Sequence, residues 1–349
     1  MRRRWILLLV LAALVVSAAV VVGWRLRSED RSRFSAALAW APTSAARFSW
    51  TDWAGVRSEL GADLSASSSG SEVDDFLQDA FDRDLASTTA LDASAPTIQE
   101  QLGFSPATID WELFTQGKDG ALVIMGLPDD FDVAGLRERL RTVGFEEPDE
   151  ADGVWSGGVD LLEGLDGPVT PELAALQIDE EDGLLVGSDD PAFLEQRADL
   201  ARGDHEDGVS DVVDAEGPAL SASVATGDQA CSALAMTDAD PADRTRASEL
   251  VAQAGGVHPL TGFAIAAQPG GDVRVAMAFE TDDQAREDAD SRSKLAAGPA
   301  PGQGGSFPER FELGKVVATG RVLTMAMKPV EGTFVLSDLS SGPVLFATC

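Results

Sequence analysis

The chain has 349 residues, with 59 acidic against 26 basic side chains, a net charge of -33, two cysteines and two histidines. That length buries one large core or two modest ones. The acidic excess argues against nucleic acid as a partner, because a phosphate backbone is held mainly by Lys and Arg.

The chain opens on Arg2, Arg3 and Arg4, followed by an uncharged run from Trp5 to Trp24. As a helix this run would rise about 30 Å, the thickness of a bilayer's hydrocarbon layer. A Trp at each end suits the headgroup level. The run continues through Val20, Val21 and Val22 past the small residues Val16-Ser17-Ala18, which favours a retained signal anchor over a cleaved leader. The expected partner is therefore a lipid bilayer through residues 5–24. The expected location is a single-pass cell-membrane protein with its C-terminal domain outside the cytoplasm.

Beyond the anchor, one order of elements recurs: an alternating strand, a tight acidic or glycine turn, a second strand, an Asp-rich cap and a helix. The first copy runs from Thr108 to Phe114, turns at Lys118-Asp119-Gly120, continues from Ala121 to Met125, and reaches a helix around Leu136 and Leu140 after Asp129, Asp130 and Asp132. Asp-Gly between alternating runs favours a hairpin, because both residues tolerate positive φ. The second copy spans Leu173–Ile178, Glu181-Asp182-Gly183 and Leu184–Val186, with Asp189 or Asp190 capping a helix that starts at Pro191. The third spans Thr261–Ala267, Pro269-Gly270-Gly271-Asp272 and Val273–Phe279, with Thr281 or Asp282 as cap. A fourth, helixless copy is read as Val316–Met327, a turn at Pro329–Gly332, and a strand Thr333–Leu336.

Two further helices interrupt the series. One runs from Ser71 to Leu85, with Ser71 and Asp74 as an approximate capping box. The other starts at Asp240-Pro241 and ends near Gly255-Gly256. The fold class these patterns predict is α+β: an N-terminal transmembrane helix, then antiparallel sheets with helices packed on one face, built from repeated β-hairpin–helix units. The boundaries are 1–30 for the cytoplasmic tip and anchor, 31–44 for a juxtamembrane linker, and 45–205 and 218–349 for two exterior halves. Outside the membrane, Cys231 and Cys349 are expected to form a disulfide.

Chemistry is sparsely signalled. His205 lies in the hydrophilic run Asp204-His205-Glu206-Asp207, and His258 precedes Pro259, so surface or turn roles are expected for both. The acid pairs Asp129-Asp130, Asp189-Asp190 and Asp282-Asp283 stand before helices, where an anion meets unsatisfied amides. Asp238, Asp240 and Asp243 lack the spacing of a calcium loop, although calcium is the ion such a set would take. Ser291-Arg292-Ser293-Lys294 has Ser-x-x-Lys spacing without the accompanying motifs of that hydrolase class. No catalytic, cofactor-binding or metal residue is therefore assigned. The function expected is a non-catalytic extracytoplasmic binding or scaffolding domain for an envelope protein, lipid or glycan. The alternatives are a membrane-tethered carboxylate-dependent hydrolase and a carrier of an apolar envelope ligand.

Overall fold

The computed structural model describes residues 32–198, 200 and 205–349. In chain order the first elements are α1 (Arg33–Leu38), β1 (Ala45–Thr51), α2 (Trp53–Leu60), α3 (Gly70–Asp82) and α4 (Ala95–Gln101). Then come β2 (Trp111–Gly117), β3 (Ala121–Gly126), α5 (Val133–Val143), β4 (Val154–Ser156), α6 (Val159–Glu163), β5 (Ala175–Asp179), β6 (Leu184–Ser188) and α7 (Pro191–Glu195). The remainder comprises α8 (Asp207–Glu216), β7 (Ser221–Thr226), α9 (Gly227–Gln229), α10 (Pro241–Ala254), β8 (Gly262–Ala267) and β9 (Val273–Ala278). It ends with α11 (Asp282–Ala296), β10 (Phe311–Thr319), β11 (Val322–Pro329) and α12 (Val335–Leu339).

All the strands join one 11-stranded sheet in the order β10-β11-β9-β8-β7-β1-β2-β3-β6-β5-β4, and every pairing is antiparallel. The order of elements occurs twice. A short helix leads into β1 and β7, helices follow, and the hairpins β2–β3 and β8–β9 come next. A longer helix, α5 or α11, then carries the chain to an outer edge of the sheet. From each edge the strands return inward until β6 pairs with β3 and β11 pairs with β9. The two series meet where β1 pairs with β7.

Side chains alternate between faces along each strand, and the residues are sorted by size. On β8 and β9, Phe263, Ile265, Val275 and Met277 point into the larger core. Ala264, Ala266, Ala276 and Ala278 point into the smaller core, where they meet Val209, Val212 and Val213 of α8. The alanines let that helix approach the sheet closely. The helical layer is heavy on the first face, as expected, with α3, α4, α5, α10 and α11. The opposite face carries the thinner cover of α1, α7 and α8. Beneath α1, Phe34 stacks on Trp50 at 4.9 Å, and Trp50 Nε1 donates to the Ala219 carbonyl at 3.0 Å.

The structure corrects several expectations. The membrane-spanning helix assigned to residues 5–24 lies outside the described residues, and none of the described helices is long and apolar enough to cross a membrane. The longest of them, α11, has 15 residues and is rich in charge, short of the roughly 20 apolar residues a bilayer requires. Among the described residues the architecture is thus corrected to an α+β sheet with helical cover, and no described helix supports the expected single-pass topology, bilayer contact or cell-membrane location.

The fourth unit is also different. Val316–Met327 is not one strand, because the chain reverses at Gly320, where φ is 56°, a conformation glycine adopts without steric cost. Thr333–Leu336 enters helix α12 rather than a strand. The capping box of α3 is two residues earlier than expected: Ser69 accepts from the Glu72 amide at 3.3 Å, and the Glu72 carboxylate accepts from the Ser69 amide at 2.7 Å. Replacing Ser69 by Ala is expected to cost about 1 kcal/mol of stability, checked by urea unfolding, with little change in overall helix content.

The free edge at β10 is protected. A bulge interrupts its pairing between Leu313 and Val316, and Lys315 falls within it. Bulges and lysines both discourage edge-to-edge association. The opposite edge, β4, has only three residues.

Candidate functional site: a cleft beside α5

Few of the chemically suggestive residues meet in space. His205 is buried, not on the surface as expected. Its Nε2 lies 3.0 Å from the Leu38 carbonyl, and its ring stands edge-on to Phe48 at 5.4 Å. Burial lowers its pKa, against the opposing pull of the Leu38 and Ala41 carbonyls. It fastens the start of the second series onto α1.

His258 belongs to a buried ionic cluster. Its Nδ1 lies 2.7 Å from Asp288 Oδ1, and Arg292 Nε donates to Asp288 Oδ2 at 2.7 Å. The Arg292 guanidinium also donates to the carbonyls of His258 at 2.6 Å, Phe346 at 2.6 Å and Thr348 at 2.9 Å. An imidazole held by a buried carboxylate resembles part of a hydrolytic triad, yet the other nitrogen, Nε2, faces Glu287 at 3.7 Å and not a hydroxyl or thiol. The cluster ties α11 to the C-terminal tail, which ends in the Cys231–Cys349 disulfide.

The Ser-x-x-Lys pair does not assemble. Ser291 Oγ donates to the Asp288 carbonyl, and Lys294 Nζ reaches Asp290 at 2.7 Å. Of the acid pairs, Asp190 caps α7 by accepting from the Ala192 and Phe193 amides, while Asp282 and Asp283 occupy the first turn of α11. No group of three or more His, Cys, Asp or Glu among the described residues is placed to hold a metal ion, and Asp238, Asp240 and Asp243 form none.

What the sequence reading missed is a cleft of about 380 Å³ beside α5. Three segments build it: the loop after α2, the turn that follows α4, and the β3–α5 connection. Its apolar wall comprises Leu64, Leu102, Ala107, Phe131 and Leu136, of which Leu102, Ala107 and Leu136 are core residues. Asp130, Asp132 and Arg139 supply charge of both signs. Asp132 spends its carboxylate as the N-cap of α5, accepting from the Gly135 amide at 2.9 Å. Arg139 Nη1 donates to the Glu100 carbonyl in the last turn of α4 at 3.0 Å, a favourable place for a cation.

The cleft suits a ligand better than the larger recess of about 680 Å³ at the β4 edge. That recess is lined by Glu146, Glu147, Asp149, Glu150, Asp152 and Glu195, a solvated acidic face whose Glu147 is already paired with Arg141. A volume near 400 Å³ with an apolar wall and few polar groups matches ordinary small-molecule sites. The clue in the sequence was slight: Asp129, Asp130 and Asp132 read simply as a cap, and only the fold brings Leu64 and Leu102 into one recess with Asp130 and Asp132.

The expected function is corrected along with the topology. A single-pass envelope protein, and its alternatives of a membrane-tethered hydrolase or an envelope carrier, drew on an anchor that no described helix provides. No protein-family model and no curated protein matches the chain. A solved structure titled "Structure of crystal form I of TP0453" is similar to it with a TM-score of 0.41 and 7% sequence identity, over 87% of this chain and 96% of that chain.

Proposed function

We propose that the protein reversibly binds a small amphiphilic molecule in the cleft beside α5, without chemical conversion of it. The observation that carries this reading is the meeting of the half-buried apolar side chains of Leu64 and Phe131 with charges of both signs in one recess of about 380 Å³. Apolar contact supplies affinity and the few polar groups fix orientation. Binding without conversion is supported by the arrangement of the imidazoles, since His205 is packed against α1 and both ring nitrogens of the half-exposed His258 face carboxylates, Asp288 and Glu287.

The test is a thermal-shift screen of small amphiphiles on the full chain and on Ala66→Trp. Ala66 lines the cleft from an exposed loop, so the indole obstructs the recess without disturbing the core. A compound present at a hundredfold excess over its Kd is expected to stabilise the native chain by about 2.7 kcal/mol, and Ala66→Trp is expected to abolish that gain. Stabilisation that persists undiminished in Ala66→Trp, or a screen in which nothing stabilises the native chain, overturns the reading.

A further inference from the structure

The repeated order of elements provides an internal comparison for the cleft. Helices α5 and α11 each follow a central hairpin, with N-caps Asp132 and Thr281. In register from those caps, Arg139 and Asp288 occupy the same position. Both are on the inward stripe, which includes Leu136 and Leu140 in α5 and Ala285 and Arg292 in α11. Each also reaches back to the segment that leads into the hairpin before its own helix: Arg139 lies against Gly103, and Asp288 accepts from the His258 amide.

The two positions differ in what covers them. In the second series the protein fills the place itself, and Asp288 is enclosed by His258, Arg292 and the tail, at 1% exposure. In the first series Arg139 remains exposed on an otherwise inward stripe, because the cleft lies open above it. A guanidinium has five N–H donors, and the α4 carbonyl engages one of them. Gly103, with φ +83°, makes room for the side chain, since a Cβ there would come within 2.8 Å of Arg139 Nε. Arg139 is thus held in place and aimed by its cap, with donor capacity left over.

Charge narrows the partner further. A plain anion would meet Asp130 at the rim and the field of a chain carrying -33. A plain cation would meet Arg139. A molecule neutral overall but charged at both ends meets neither objection.

We propose that the cleft recognises a zwitterionic, peptide-like ligand with apolar side chains, its carboxylate on Arg139, its ammonium on Asp130 and its side chains against the half-buried Leu64 and Phe131. This rests on the cleft reading above and names the ligand class for it.

Leucyl-leucine is the probe, titrated calorimetrically into the full chain alongside its N-acetyl derivative, which lacks the ammonium, and its C-terminal amide, which lacks the carboxylate. The free dipeptide is expected to bind most tightly, with each blocked form weaker by about tenfold, the value of one charge-assisted contact. In Arg139→Leu the preference over the amide is expected to vanish while the affinity of the amide itself is unchanged. Asp130→Asn does the same for the N-acetyl form. Should Arg139→Leu fail to fold, Arg139→Gln keeps a donor for the Glu100 carbonyl and carries the same test. Equal binding of the three compounds, or a preference untouched by the Arg139 variants, overturns the zwitterion assignment and leaves the cleft reading standing. So does silence from the dipeptide while other amphiphiles bind. Failure of the cleft reading is read separately, from Ala66→Trp.

Discussion

Replacing both cysteines, Cys231→Ser with Cys349→Ser, is expected to lower stability by about 4–5 kcal/mol while leaving the native fold in place. The sulfurs bridge residues 118 apart in sequence, with Cα atoms 5.5 Å apart. Closing a loop that long removes much of the freedom of the unfolded chain, and the loop-closure relation gives about 4–5 kcal/mol for it. The native tail has independent anchors. Phe346 and Ala347 are fully buried, the Val344 amide donates to the Leu234 carbonyl at 2.7 Å, and Arg292 holds the carbonyls of Phe346 and Thr348. The loss therefore falls on the unfolded ensemble rather than on the folded contacts. Urea unfolding measures the change, and amide exchange of residues 344–348 in the native state shows whether the tail stays docked. A drop below about 1 kcal/mol, with the tail still protected, would mean that the crosslink scarcely constrains the unfolded chain.

The disulfide and three of the four hairpins were legible because each rests on a local or compositional signal. Asp119-Gly120, Asp182-Gly183 and the Pro269–Asp272 turn announce their reversals through residues that accept unusual φ, and Asp190, Asp132 and Thr281 announce the helices that follow. The fourth hairpin lacked such a signal. Gly320 sits alone between two apolar runs, whereas Pro329–Gly332 has the composition of a strong turn and drew the boundary to itself. The buried acids were equally hard to see. Glu112 stands in a strand beside Trp111 and Leu113, where alternation suggests an outward side chain. The fold instead closes the loop containing Thr89 and Ala90 over it, and Trp53 Nε1, Thr89 Oγ1 and the Ala90 amide all donate to its carboxylate. The cleft depends on contacts between segments as distant as Leu64 and Leu136, which no local pattern encodes.

Those buried carboxyls lead to an expected pH profile in which the protein is more stable in mild acid than at neutrality. Asp84 is the quantitative case. Its carboxylate accepts from the Leu336 amide at 2.6 Å and the Ser337 amide at 3.1 Å, at the start of α12. Burial pushes its pKa from 3.8 up to about 6, the amide hydrogen bonds pull the other way, and the nearby Asp338 adds to the rise. A carboxyl with a raised native pKa binds its proton more tightly in the folded state, so stability falls as pH climbs from about 3.8 to 6 and levels off above. The change amounts to about 3 kcal/mol by linkage. Burial likewise raises Glu112 and takes Glu216 well above the usual range, with the same sign. The carboxyls of Glu72 and Glu147 are lowered, by Ser69 and Arg141 respectively, but both are solvent-exposed, where such contacts are heavily screened. Self-repulsion of a chain carrying -33 also grows as the acids ionise, and moderate salt separates the two sources, since it screens surface charge far more than buried charge. Urea unfolding at several pH values in moderate salt, on the native chain and on Asp84→Asn, isolates the buried part. Asn tolerates the left-handed backbone of this residue, φ 58°, and keeps an acceptor for α12. The two pH profiles are expected to converge as pH rises through the Asp84 window or to cross there, their difference changing by about 3 kcal/mol; parallel curves would show that Asp84 does not titrate differently in the folded chain.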